Sequence, residues 1–204
     1  MWRGVAAACI SCFTLLAVAL AVLDAGPPWA WSQTPKPKPG ATKQPPPAPQ
    51  VRYGTERLPR PVLDMREAML AAIEAGDIEE LRQAYDLNEP KPDLGAAAKT
   101  DPVAHWKRIS ADGQGREVLA ALSLILQAGY VVLPLGRDLE NNQLYVWPYF
   151  AERPLGQLTP RQEVELLRLV PPSVAKEMNE KGKYTHWRLV IGADGTWHSL
   201  RKGD

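Results

Sequence analysis

The sequence predicts an α+β fold: an N-terminal helical hairpin, a buried central helix and a small antiparallel sheet ending in a C-terminal β-hairpin. Three observations carry that prediction. Apolar residues recur at helical spacing between Met65 and Tyr85. The stretch Glu117 to Ala128 is apolar almost all round, as a helix packed on several sides would be. Short runs rich in β-branched and aromatic residues lie at 130–133 and 144–149 and close the chain from Tyr184 onward.

Two segments precede the predicted domain in the 204-residue chain. Met1-Trp2-Arg3 is a short positive start, and Gly4 to Leu23 is apolar apart from Ser11 and Thr14. That pattern predicts a signal peptide over 1–32, with Ala30 and Ser32 at the −3 and −1 positions of a cut before Gln33. A cut after Ala25 is the alternative. Residues 4–23 are also long enough to stay as a membrane anchor, with Arg3 inside and the rest of the chain outside. Either way the domain is expected in the periplasm or secreted. Cys9 and Cys12 are the only cysteines, so a mature chain would have no thiol chemistry and no cysteine-bound zinc.

Residues 33–60 read as a basic, proline-rich disordered linker. Of the 20 prolines, 11 fall between Pro27 and Pro61. Lys36, Lys38, Lys43, Arg52, Arg57 and Arg60 face Glu56 as the only acid. Such a stretch favours polyproline II and would reach about 90 Å fully extended. The formal net charge of +1 argues against a nucleic-acid partner, because the basic excess sits in the linker.

The domain is expected over 61–204. Asp64-x-x-Glu67 and Asp77-x-x-Glu80 resemble capping boxes for two helices that meet at Gly76. Asp101-Pro102 starts a short helix carrying Val103 and Trp106. The central helix follows, and Gly129 ends it. Strands are predicted at Tyr130–Leu133 and Leu144–Tyr149. Thr159-Pro160 opens a helix with Val164 and Leu167 inward, and Ser173 caps another that runs to Gly182. The closing hairpin turns at Gly192-Ala193-Asp194-Gly195, which suits a type I turn with a glycine bulge.

Candidate chemistry is sparse. Ser173-Val174-Ala175-Lys176 has the S-x-x-K spacing of penicillin-recognising enzymes, but no S-D-N or K-T-G accompanies it. His105, His186 and His198 are the only histidines, and neither simple register of the hairpin lets the last two share an ion. Gly113-Gln114-Gly115-Arg116 lacks the G-K-[ST] of a phosphate loop. No cofactor is expected. Tyr145, Trp147 and Tyr149 alternate and would share one strand face, with Pro148 demoting that strand to an edge. An exposed aromatic row there would stack on wall glycan or receive a protein partner. If a helix covers the row, it is core instead.

Five pieces stand in order along the chain: Asp101-Pro102-Val103-Ala104-His105-Trp106-Lys107, Gly113-Gln114-Gly115-Arg116-Glu117, Tyr145-Val146-Trp147-Pro148-Tyr149-Phe150-Ala151, Leu158-Thr159-Pro160 and Ile191-Gly192-Ala193-Asp194-Gly195-Thr196-Trp197-His198. Together they resemble an uncharacterised family of small exported bacterial proteins, which implies export and no particular reaction. The corner Ala75-Gly76-Asp77 also looks like the opening of NTF2-like pocket proteins. The functional expectation is a non-enzymatic cell-envelope module that binds protein or wall polymer through Tyr145, Trp147 and Tyr149. A small hydrolase and an NTF2-like small-ligand carrier are the alternatives.

Overall fold

Prolines open most of the helices. In the computed structural model, four of the six α-helices among the described residues carry proline in the first turn, where its missing N–H is no loss. The described residues are 48–95, 98, 101–136 and 142–203. The chain divides into the units Met1–Gln44 and Pro45–Asp204, and the described residues all fall in the second. The expected leader or anchor at 1–32, its two cysteines and linker positions 33–47 lie outside the described residues. No helix among the described residues is long and apolar enough to cross a membrane.

Helices α1 (Arg60–Ala75) and α2 (Glu80–Leu87) form the predicted hairpin, and Gly76 ends α1 in the left-handed region. Asp64 does not cap α1, which begins about a turn earlier because Pro61 fixes its first turn. Asp64 instead pairs with Arg60, 2.8 Å away. Helix α3 (Pro102–Ile109) is capped by Asp101, whose carboxylate accepts from the Ala104 N–H. Helix α4 (Arg116–Gln127) buries Val118, Leu119, Leu122, Ile125 and Leu126. It is not covered all round, since Leu124 and Gln127 face outward.

The α+β class holds, with a four-stranded antiparallel sheet in the order β1-β2-β3-β4. Its strands are β1 (Val131–Pro134), β2 (Gln143–Trp147), β3 (Trp187–Gly192) and β4 (Trp197–Lys202). Helices α5 (Pro160–Leu169) and α6 (Pro172–Lys181) fall between β2 and β3. Thr159 and Gln162 complete a capping box on α5. Here the inward face is Leu166 and Leu169, while Val164 and Leu167 are exposed, opposite to the sequence expectation. Ser173 lies within the first turn of α6 and makes no cap, because Pro171 occupies that position.

Strand β2 is central rather than an edge, with β1 on one side and β3 on the other. Pro148 interrupts nothing: it follows the last strand residue across a cis Trp147–Pro148 bond, and Tyr149 turns into a 3-10 segment, Tyr149–Glu152. Tyr145, Trp147 and Tyr149 are 3%, 2% and 0% exposed. They therefore cannot line an exposed binding face. Tyr145 and Trp147 pack with Tyr130, whose ring lies 6.0 and 5.0 Å from theirs. Tyr149 leaves that group and stacks on Phe150 at 4.1 Å.

Other large rings fill the interior. Trp106 of α3 stacks on Trp197 of β4, with centroids 6.1 Å apart. The β4 edge is closed by residues 88–93. The buried Asn88 amide accepts from the Trp197 N–H and donates to the Trp197 carbonyl, both at 2.9 Å. The Asp93 backbone then bonds His198 and Leu200.

The end of the expected linker also belongs to the fold. Arg52 and Tyr130 exchange two backbone hydrogen bonds of 2.8 Å, and Leu58 joins the core. The hairpin turn is the predicted one: the Gly195 N–H bonds the Gly192 carbonyl, Gly192 N–H bonds the Thr196 carbonyl, and Gly195 has φ 86°. Its register follows the simple expectation that pairs Gly192 with Thr196 at the turn and departs from it further along. A bulge at His198 sets Ile191 opposite Trp197 but Val190 opposite Ser199.

Candidate functional site

The cleft with the best-organised polar wall lies between the end of α4, the outer face of α5 and the segment Val51–Tyr53. Each wall follows from local sequence. The capping box fixes where α5 starts, so Arg161, Glu165 and Arg168, spaced by four and three, fall on one side of the helix. The α4 stripe turns Leu124 and Gln127 out toward that side. The Arg52–Tyr130 pairing carries Tyr53, a residue 48% exposed, to the third wall.

Glu165 is the centre of the geometry. One carboxylate oxygen accepts from the hydroxyls of Tyr53 and Tyr149, each at 2.9 Å. The other accepts from Arg161 Nε at 3.3 Å. The Arg161 guanidinium also lies 5.9 Å from the centre of the Tyr53 ring. Tyr53 meets Tyr149 edge to face at 6.3 Å. Gly129 makes that meeting possible, because a Cβ there would come within 3.0 Å of both rings. Burial first, and the Glu165 carboxylate next, push both phenols above the usual tyrosine range. Both hydroxyls thus stay protonated and donate to Glu165 at neutral pH.

The cleft encloses about 160 Å³, with Leu124 and Leu169 as apolar lining. A cavity of about 150 Å³ holds one six-membered ring. Drug-sized ligands need upward of about 300 Å³. The space therefore suits one ring-sized group at a time. Arg168 also lines the cleft, and no described residue pairs with its side chain.

Of the residues singled out from the sequence, only Tyr149 touches this site, from beneath and through its hydroxyl. Tyr145 and Trp147 remain in the core. Ser173 and Lys176 lie on α6, and Lys176 borders a different groove. His105 contacts Arg108, and His198 sits in the β4 bulge near Asp194. Among the described residues no three of His, Cys, Asp and Glu cluster as a metal site would require. Gly113-Gln114-Gly115 forms a turn in which Asp112 accepts from the Gln114 N–H.

The sequence reading missed Tyr53 because it was counted with the linker. The available signal was local: Val51-Arg52-Tyr53 alternates like a strand directly after the proline run. The Arg161-to-Glu165 spacing was visible too, as an ion pair on a helix. No family model, curated protein or solved structure matches this chain.

Proposed function

We propose that this chain is an exported envelope module that binds without transforming its ligand, and that the cleft at Glu165 receives one ring-sized unit of a wall polymer. The observation that carries this reading is the cleft's composition. The half-exposed Tyr53 forms one wall, and Glu165 with Arg161 held on it and Arg168 beside it forms another. An aromatic face beside fixed polar groups is what a sugar ring asks of a protein. One side of the sugar is apolar C–H surface and its rim is hydroxyl.

Export is supported by the leader-like opening of the sequence and by the ordered motifs resembling exported proteins. Binding is favoured over hydrolysis because Glu165 is the one carboxylate among the cleft's described lining residues. Glycoside cleavage ordinarily uses two, about 5 to 9.5 Å apart. Glu165 is also engaged by three donors, so it serves as an acceptor that orients its neighbours. A carrier would keep its interior open, whereas here Trp106, Trp147, Trp197 and Tyr130 fill it.

Sedimentation with purified wall polymer tests the proposal. The full chain should co-sediment, Tyr53→Phe should keep most of that retention, and Tyr53→Ala should lose it. Retention that is equal in all three, or absent in the unaltered chain, overturns the reading. A mass measured on protein from its own envelope tests export, since a cut before Gln33 removes residues 1–32.

A further inference from the structure

We infer that the unit bound in this cleft carries a single negative charge, namely a carboxylate held by Arg168. This inference deepens the wall-polymer reading and rests on it. It starts from which charges in the cleft are already matched. Glu165 has both oxygens engaged, one by the Tyr53 and Tyr149 hydroxyls and the other by Arg161 Nε. Arg168 lines the same space without a hydrogen-bonded or ionic partner among the described residues. A guanidinium offers five N–H donors in a planar fork that fits a carboxylate in two-point fashion. Arg168 therefore borders the place where the ligand would sit with its donors uncommitted among the described residues.

The charge count selects a monoanion. Arg161 and Arg168 against Glu165 leave one unmatched positive charge on the lining. The same cleft is bordered by Gln127 and Ala128, at the C-terminal end of α4. That end of a helix carries the negative pole of its dipole. A phosphate dianion would meet both the Glu165 carboxylate and this pole, whereas one carboxylate matches the one free guanidinium. Two sources of such a group exist in an envelope polymer: an acidic sugar ring, or the free carboxyl of a short peptide attached to the glycan. Both share the chemistry that Arg168 would recognise.

The test is a calorimetric titration of the full chain with four probes: methyl glucuronide, methyl glucoside, N-acetylalanine and inorganic phosphate. The glucuronide or N-acetylalanine should bind at least about 10-fold more tightly than the uncharged glucoside, the scale of one charge-assisted hydrogen bond. Which of the two binds tells the sugar source from the peptide source. Arg168→Gln should bring that preference close to unity, and Arg168→Lys should restore part of it. Both variants should keep the thermal midpoint, since no described residue pairs with this side chain. Equal binding of acid and neutral probes, a preference that survives Arg168→Gln, or tighter binding of phosphate than of either carboxylate overturns the inference. Co-sedimentation with wall polymer, measured alongside, separates the two failures. Retention without acid preference sinks only the carboxylate assignment, and loss of retention sinks the wall-polymer reading beneath it.

Discussion

Glu165 shows how one side chain joins parts of the chain that lie far apart in sequence. Its carboxylate ties Tyr53, over a hundred positions earlier, to Tyr149 and to its own helix. The phenols on it have consequences that a pH titration reads. Tyr53 and Tyr149 are held above their ordinary pKa by burial first and by Glu165 second. Tyr184, which donates to the Trp187 carbonyl, is raised by burial alone. A folded-state pKa above the unfolded value of about 10 means that the fold favours the protonated phenol. That stability is complete below pH about 10 and is lost as pH rises beyond it. Tyrosinate absorbance should therefore show the buried Tyr149 and Tyr184 silent until the chain unfolds, with their absorbance and circular dichroism changing together. Glu165→Gln removes the negative acceptor, which should lower unfolding free energy by about 1 to 2 kcal/mol at neutral pH. A denaturant midpoint equal to that of the unaltered chain would show that the three-way contact adds no stability.

At the scale of elements, starts and turns set by a side-chain cap or a glycine were legible, whereas the proline-set starts of α1 and α6 were misplaced and helix rotation was not legible. The helix start at Thr159, the Asp101 cap, the Gly76 corner and the glycine-bulge turn were all legible, because each is set by neighbouring residues. The rotation of α5 was not. Leu166, Leu167 and Leu169 offer two competing apolar phases, and only packing decides that Leu167 stays outside. The central position of β2 was illegible for a similar reason. Its second neighbour, β3, arrives some forty residues later, so Pro148 read as an edge marker when it only ends the strand. The closure of β4 is a further long-range event, and it can be tested. The Asn88 side chain supplies the donor and the acceptor that a strand would offer to Trp197. Asn88→Ala leaves a buried N–H and a buried carbonyl unmatched, each costing about 1 to 3 kcal/mol. The expected loss is about 2 to 6 kcal/mol, read from denaturant unfolding with the slope unchanged. Asn88→Asp should recover the bond to the N–H but not the one to the carbonyl, and should fall between the two.

For the whole molecule, the open question is where the fold starts, and the candidate site depends on the answer. Composition placed the boundary at residue 60, because proline and basic residues continue to Arg60. The structure places folded contacts at least eight residues earlier. Arg52 pairs with Tyr130 at the head of the sheet, Tyr53 holds Glu165, and Leu58 is buried. These residues escaped the composition argument because they are few and sparse in apolar side chains. Their stabilisation comes from backbone pairing and one carboxylate, which composition does not register. A chain beginning at Pro61 should thus be less stable than one beginning at Pro45, although it keeps every strand and every helix except the first residue of α1. It loses the two Arg52–Tyr130 backbone bonds, the Leu63 N–H bond to the Pro59 carbonyl, the Arg60–Asp64 ion pair, the Tyr53 contact and the burial of Leu58. The net cost is several kcal/mol, taking about 1 kcal/mol per hydrogen bond and about 2 for a buried leucine. The shorter chain should also lose retention on wall polymer, since the aromatic wall of the cleft leaves with the segment. Equal thermal midpoints for the two chains would mean that residues 45–60 lie on a domain complete without them. If midpoints differ but retention is unchanged, the segment stabilises the fold and the ligand contacts another surface.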